Sequence, residues 1–429
     1  MLKKWQWITV GLLFSGSLIN YMDRAVFGVL APLTSKELAL DPAQMGWVLS
    51  AFSIGYVAFC FLGGWATDRF GARATLSVSM TIWSIACAMI GFVSSLPALL
   101  GLRAVFGAGE SPWLPASNKV MMRWFSKEQY PRAYGIMTSG GPLGGVVAGP
   151  LVGIVAAFFG WRAAFLVVGG IGIAWVLVWL LLASNTPEES PNLDDEARAE
   201  MARSRIAETA HVEPGEATST FRKSTLIATS FAFFCFSYML FFFISWFPTY
   251  LTMQLKLTTE VMGVVSAIPW LLGVAGTISG GFICSWAIRR SGDALKGSKM
   301  VLVAGLVLTG LCVALCGVTT STVPAVILMA GGVGFLYLTG TTYYVLALEG
   351  ISETKHARVA SVLVTINVIG GIIAPVITGY IVKATGSFTG AFVLAASVVI
   401  VGAIVVTIFV RNPNSQKTTL GHTAPQGAT

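Results

Sequence analysis

Charge is scarce in this 429-residue chain: Asp, Glu, Lys and Arg make up only 11% of it, where a soluble domain carries about 25%. That shortage excludes an ordinary cytosolic enzyme. Histidine is scarcer still. The three present, His211, His356 and His422, lie in polar stretches, which argues against a histidine-based metal or catalytic centre. The six cysteines (Cys60, Cys87, Cys235, Cys284, Cys312, Cys316) all fall inside apolar segments and none has C-x-x-C spacing, so they read as small core residues. No nucleotide loop or cofactor fingerprint occurs. No cofactor and no enzymatic activity are expected.

What the chain has instead is long apolar runs, with 55% hydrophobic residues. About twenty apolar residues cross a bilayer. By that rule spans are expected near 7–30, 46–66, 74–94, 97–120, 134–158, 163–184, 224–251, 260–287, 299–318, 323–348, 357–382 and 388–410. The first run is too long for a signal-peptide core and is expected to stay as a span. Residues 185–222 form a polar linker, with a short amphipathic helix expected from Asp194 to Glu208, and 412–429 a disordered polar tail. The net charge of +8 does not point to nucleic acid, because the basic residues sit in short loops. Of the 27 Lys and Arg, 21 fall on the side of both termini and the linker, four (Lys36, Arg162, Lys256, Lys383) on the other, and Arg24 and Arg103 within spans. The asymmetry places both termini in the cytoplasm.

The chain also repeats. Gly144-Gly145-Val146-Val147-Ala148 returns 226 residues later as Gly370-Gly371-Ile372-Ile373-Ala374, and Gly153 and Gly160 return as Gly379 and Gly386. Two six-span halves, 1–184 and 223–411, follow from this, with a ligand site between them at mid-membrane.

Charges inside the spans carry the chemistry. Asp23 and Arg24 adjoin in the first span, and Arg103 and Glu110 lie in the fourth. A charge at the centre of a membrane helix costs about 2.5–3.5 kcal/mol, so four of them imply a working site. Arg103 and Glu110 are seven residues apart, hence on one helix face and about 10 Å apart along the axis. Gly107 between them permits close helix approach or leaves room for solvent. An arginine forks onto a carboxylate with two hydrogen bonds, while a carboxylate shielded from water can load a proton near neutral pH.

Gly64-x-x-x-Asp68-Arg69-x-Gly71-x-Arg73, between spans 2 and 3, resembles the signature loop of the major facilitator superfamily. The resemblance implies an all-α membrane protein of twelve helices in two pseudo-symmetric halves. It also implies that Asp68, Arg69 and Arg73 act in gating by latching the cytoplasmic side across the halves. The second-half counterpart is degenerate, with Ser285 where an Asp would stand. Asn20-Tyr21-x-Asp23-Arg24, together with Arg103-x-x-x-Gly107-x-x-Glu110, is similar to the anion:cation symporters of that superfamily. It implies import of a small organic anion, such as a hexonate, a hexuronate or a related carboxylate, in symport with protons. By that resemblance Arg24 holds the substrate carboxylate and Glu110 and Asp23 carry protons. Arg103 tunes them or helps hold the anion, and Tyr21 lines the cavity. Tyr56 and Asn367 are further candidate substrate ligands.

Other features are less specific. Gly145-x-x-x-Gly149-Pro150-x-x-Gly153 resembles an antiporter motif, but Ile154 replaces an expected glycine, and the segment reads first as a packing face. Span 7 is aromatic on every face, with Tyr238 or Trp246 as candidates to face the cavity. Span 10 offers Tyr337, Thr339, Thr341, Thr342, Tyr343 and Tyr344 as hydroxyl ligands, and Glu349 near its end reads as an interfacial charge. The expected setting is the inner membrane, with lipid, the anion and protons as partners and a monomer sufficient. The alternatives are an anion exchanger or proton antiporter of the same fold and, in a different class, a membrane sensor that binds without transporting.

Overall fold

The computed structural model describes residues 2–126, 129–196, 198–199, 223–349, 351 and 353–410, without the side chains of 353–358, 360 and 361. The expected linker helix beyond 200, the tail, and Lys127, Lys355 and Arg358 as charged groups therefore lie outside the described residues. Every regular element among those described is an α-helix.

The helices lie over the expected spans. They are α1 (Leu2–Glu37), α2 (Pro42–Phe70), α3 (Ala72–Ile90), α4 (Leu96–Glu110), α5 (Trp113–Trp124), α6 (Tyr130–Leu182), α7 (Lys223–Met253), α8 (Thr259–Ser291), α9 (Ala294–Val318), α10 (Thr322–Leu338), α11 (Thr342–Leu348), α12 (Glu353–Thr385) and α13 (Thr389–Phe409). Nine stretches among the described residues are long and apolar enough to cross a membrane. The fourth span breaks into α4 and α5 because Pro112 withdraws a backbone donor after Glu110. The 53 residues of α6 far exceed the roughly 20 that one crossing needs, and its axis turns at Gly160, whose φ of 82° lies in the left-handed region. Gly386, the repeat partner of Gly160, also has positive φ (66°) and makes the turn from α12 to α13.

In lipid, apolar side chains gain little from one another, so close backbone approach and polar contacts hold helices together. The repeated glycine pair does this in both halves. A Cβ on Gly144 would meet the Leu18 carbonyl of α1, and one on Gly370 would meet the Tyr238 backbone of α7. The second glycine of each pair faces the other half: Gly145 lies against Trp270 of α8, and Gly371 against Ser53 of α2. Gly149 and Gly153 both lie against Gly263 of α8, so the antiporter-like motif is a packing face here.

The two halves meet along α1–α7, α2–α12 and α6–α8. The contacts of α2 with α12 involve the start of α2 and the end of α12. Ser50 donates to the Ile372 carbonyl (2.6 Å), the Trp47 indole to the Tyr380 hydroxyl (3.4 Å), and Lys383 pairs with Asp41 (2.9 Å). Asp41 also caps α2 through the Gln44 amide. The Lys383 ammonium and that amide hold the Asp41 carboxyl below its usual range, and Asp41 in turn raises Lys383. At the opposite face α5 packs on α2, α3 and α6, while α11 packs on α7, α9 and α12. The halves are sealed at the face of Asp41 and Lys383.

Candidate functional site

Asp23 and Arg24 adjoin in sequence, but successive side chains on a helix point about 100° apart. They therefore part company. Asp23 is fully buried and accepts a hydrogen bond from the Trp83 indole of α3 (2.8 Å). Arg24 turns toward α2 and α4, where both its Nε and Nη2 reach Oε1 of Glu110. Tyr21, three residues back and so on the same side, sets its ring 5.3 Å from the Arg24 guanidinium carbon. Phe52 and Tyr56 of α2 stand at 5.3 and 5.4 Å from it. The Arg24 side chain keeps 18% of its surface exposed, whereas Glu110 has none.

Arg103 departs from the expected cluster. It is buried and reaches neither acid. Its guanidinium sits 4.6, 5.3 and 5.5 Å from the rings of Phe27, Phe52 and Phe106, and donates over 3.4 Å to the Val48 and Leu49 carbonyls. Cation–π contacts of about 0.5–2 kcal/mol each offset part of its desolvation. Gly107 settles in favour of close approach, since a Cβ there would lie 1.9 Å from the Phe52 carbonyl. One ring, Phe52, thus separates the two guanidinium groups.

Glu110 Oε2 and Asp23 Oδ1 are buried with no hydrogen-bond partner among the described residues. Such groups are few in native interiors, and each costs about 1–3 kcal/mol. They form an acid pair, one carboxylate engaged with an arginine and one with an indole, beside a partly exposed cation. That arrangement can take an organic anion at Arg24 and protons at the acids.

Asn367 of α12 donates its amide to the Phe233 carbonyl of α7 (3.2 Å) and remains half-buried. Tyr337 stands near the seam, its ring 6.2 Å from Trp270 and its hydroxyl buried with no hydrogen-bond partner among the described residues. Tyr238 and Trp246 are buried within their own half, and Trp246 donates to the Pro375 carbonyl. The reason is the place of α7, which packs on α1, α11, α12 and α13 and is covered on most sides. The loop after α2 is not at this site. Asp68 pairs with Lys119 of α5 (2.8 Å), the Arg73 guanidinium donates to the Leu180 carbonyl, and Arg69 is exposed. All these partners lie in the same half as the loop. Sequence reasoning missed Trp83, Phe52 and Trp270. The one signal for Phe52 was its place one turn before Tyr56, and Trp83 and Trp270 carried none.

A family profile described as the Major Facilitator Superfamily matches residues 13–343 and 290–428. The hexuronate transporter of Bacillus subtilis (strain 168) is 36% identical over 404 residues, covering 93% of each chain. A probable galactarate/D-glucarate transporter of the same organism is 29% identical over 91% of this chain and 89% of its own. Among solved structures, a bacterial homologue of the human lysosomal transporter Spinster superposes with a TM-score of 0.74 at 19% identity, over 95% of both chains.

Proposed function

This chain belongs to the major facilitator superfamily of membrane transporters, and on that premise we propose that it imports a sugar acid, a hexuronate or hexonate, in symport with protons. The names of the relatives support the substrate class. The observation that carries the mechanism is the Arg24–Glu110 pair, a partly exposed cation held by a sealed carboxylate. Arg24 anchors the substrate carboxylate. Glu110, once protonated, releases Arg24 to the anion, so that anion and proton enter together. Asp23, behind Trp83, is the second proton site. Tyr21 and Tyr56 border the anchor, and Asn367 serves from the other half. Arg103 acts through the Phe52 cage and the α2 backbone, away from the substrate.

The excess of basic residues supports a cytoplasmic position for the face of the Asp68–Arg73 loop, and on that reading the sealed face is the outer one. Halves 1–184 and 223–411, joined by 185–222, rock about the site to give alternating access. The Asp68–Arg73 loop latches the halves in the outward-facing state. The protein works as a monomer in the inner membrane.

The test is uptake into proteoliposomes, with and without an inward proton gradient, across hexuronates, hexonates and aromatic carboxylates. Gradient-driven accumulation of the sugar acids is expected, and Arg24→Ala abolishes it. Trans-stimulated exchange without accumulation would replace symport by exchange. Normal binding by Arg24→Ala would remove Arg24 as the anchor.

A further inference from the structure

We propose that Trp270 is a specificity-determining residue of the C-terminal half, donating its indole N–H to a hydroxyl at the end of the substrate opposite Arg24. The inference rests on Arg24 as the carboxylate anchor. Trp270 is 4% exposed and stands where three helices of its own half and two of the other converge. Its ring lies 6.2 Å from Tyr21 in an edge contact (87°), 5.2 Å from Phe243 and 6.2 Å from Tyr337, and it covers Gly145. On the sealed side of Trp270 the void lined by Gly149, Ser266 and Phe247 has only about 10 Å³, too little for a ligand. Tyr21 borders both the indole and the Arg24 guanidinium.

A buried indole N–H normally finds an acceptor. Six of the other seven buried tryptophans do: Trp83 on Asp23, Trp124 on Ser184, Trp161 on Glu37, Trp175 on Leu12, Trp179 on Arg73 and Trp246 on Pro375, while Trp113 has no acceptor among the described residues. The Trp270 N–H has no acceptor among the described residues, and an indole nitrogen can only donate. From the Arg24 guanidinium carbon to the Tyr21 ring centre is 5.3 Å, and from there to the Trp270 ring centre 6.2 Å. The guanidinium and the indole thus flank one ring, near enough for a short carbon chain bearing a carboxylate at one end and hydroxyls at the other to reach both through hydrogen bonds of about 2.9 Å. The same ring offers a flat apolar face to the C–H groups between. The Tyr337 hydroxyl, next to Trp270 and with no hydrogen-bond partner among the described residues, gives the same end of the site a second polar group.

The experiment compares binding of D-glucuronate and of hexanoate, a six-carbon acid without hydroxyls, to the purified protein and to Trp270→Phe. The variant keeps a ring and loses the donor. Glucuronate affinity is expected to fall about tenfold, the worth of one hydrogen bond to a buried site, with hexanoate affinity unchanged. Equal affinities for both acids in variant and parent would overturn the proposal and leave Trp270 as packing. If Trp270→Phe does not fold, Gly145→Ala, whose Cβ would lie 2.2 Å from the indole, displaces the ring without removing it. The same selective loss for glucuronate is expected, and an unchanged ratio of the two affinities would overturn the proposal. Arg24→Ala separates the premise. If that variant binds both acids as the parent does, the anchor assignment fails, whatever Trp270 does.

Discussion

Glu110→Gln gives the sharpest test of the proposed coupling. In the structure both Nε and Nη2 of Arg24 rest on one oxygen of Glu110, and that carboxylate is sealed from solvent. An arriving carboxylate must displace it. Hydrogen bonds to charged groups contribute about 1.5–3 kcal/mol net, and 1.4 kcal/mol is tenfold in affinity. Because 18% of the Arg24 side chain is exposed, water screens part of the pair and the lower end applies. Replacing Glu110 by neutral Gln should therefore tighten sugar-acid binding at pH 8 by about tenfold. In the parent protein affinity should fall between pH 6 and 8, as the ionised acid reclaims Arg24. In the variant that dependence should vanish. Titration calorimetry of a hexuronate into detergent-solubilised protein at both pH values measures this directly. In proteoliposomes the variant should exchange substrate but no longer accumulate it on a proton gradient. Binding no tighter at pH 8, or a pH dependence equal to that of the parent, would refute the competition between Glu110 and the substrate.

Trp83→Phe removes the one side-chain hydrogen bond that buried Asp23 has among the described residues. It should cost about 1–3 kcal/mol of stability, more at pH 8 than at pH 5 in thermal unfolding, because the ionised carboxylate needs the donor more; equal losses at both would separate Asp23 from proton binding. Gly149→Ala places a Cβ 2.2 Å from the Gly263 carbonyl across the seam. Overpacking of about 1–3 kcal/mol should open the sealed face, lengthening the distance between spin labels at positions 38 and 385. At Asp41 and Lys383 the signs run in opposite directions. The depressed Asp41 adds to closure above the ordinary Asp value of about 3.9 and stops doing so only as pH falls through its lowered value. The raised Lys383 adds below the ordinary Lys value of about 10.4 and stops doing so only as pH rises through its raised value. The pair is thus intact from pH 5 to 8. Asp41→Asn should lengthen the 38–385 distance yet leave the midpoint of the uptake pH profile in place; a shifted midpoint would make Asp41 part of the coupling.

The sequence by itself determined the class of fold and the cast of the site. Apolar length is set residue by residue and needs no long-range information, so helices lie over the expected spans. The 226-residue repeat marked Gly160 and Gly386, and the two glycine pairs, as equivalent positions; the structure shows both single glycines at turns and each pair against one helix of its own half and one of the other. The charges in α1 and α4 were legible because a bilayer makes any charge conspicuous. What only the tertiary structure decided is who pairs with whom. Helical rotation sent Asp23 to Trp83 and Arg24 to Glu110, and close approach at Gly107 shut Arg103 into a cage of phenylalanines. Partners 60 and 86 residues away in the chain leave no trace in local pattern. The same holds for Trp270, whose place at the seam depends on how the halves pack and on no signal in its own helix.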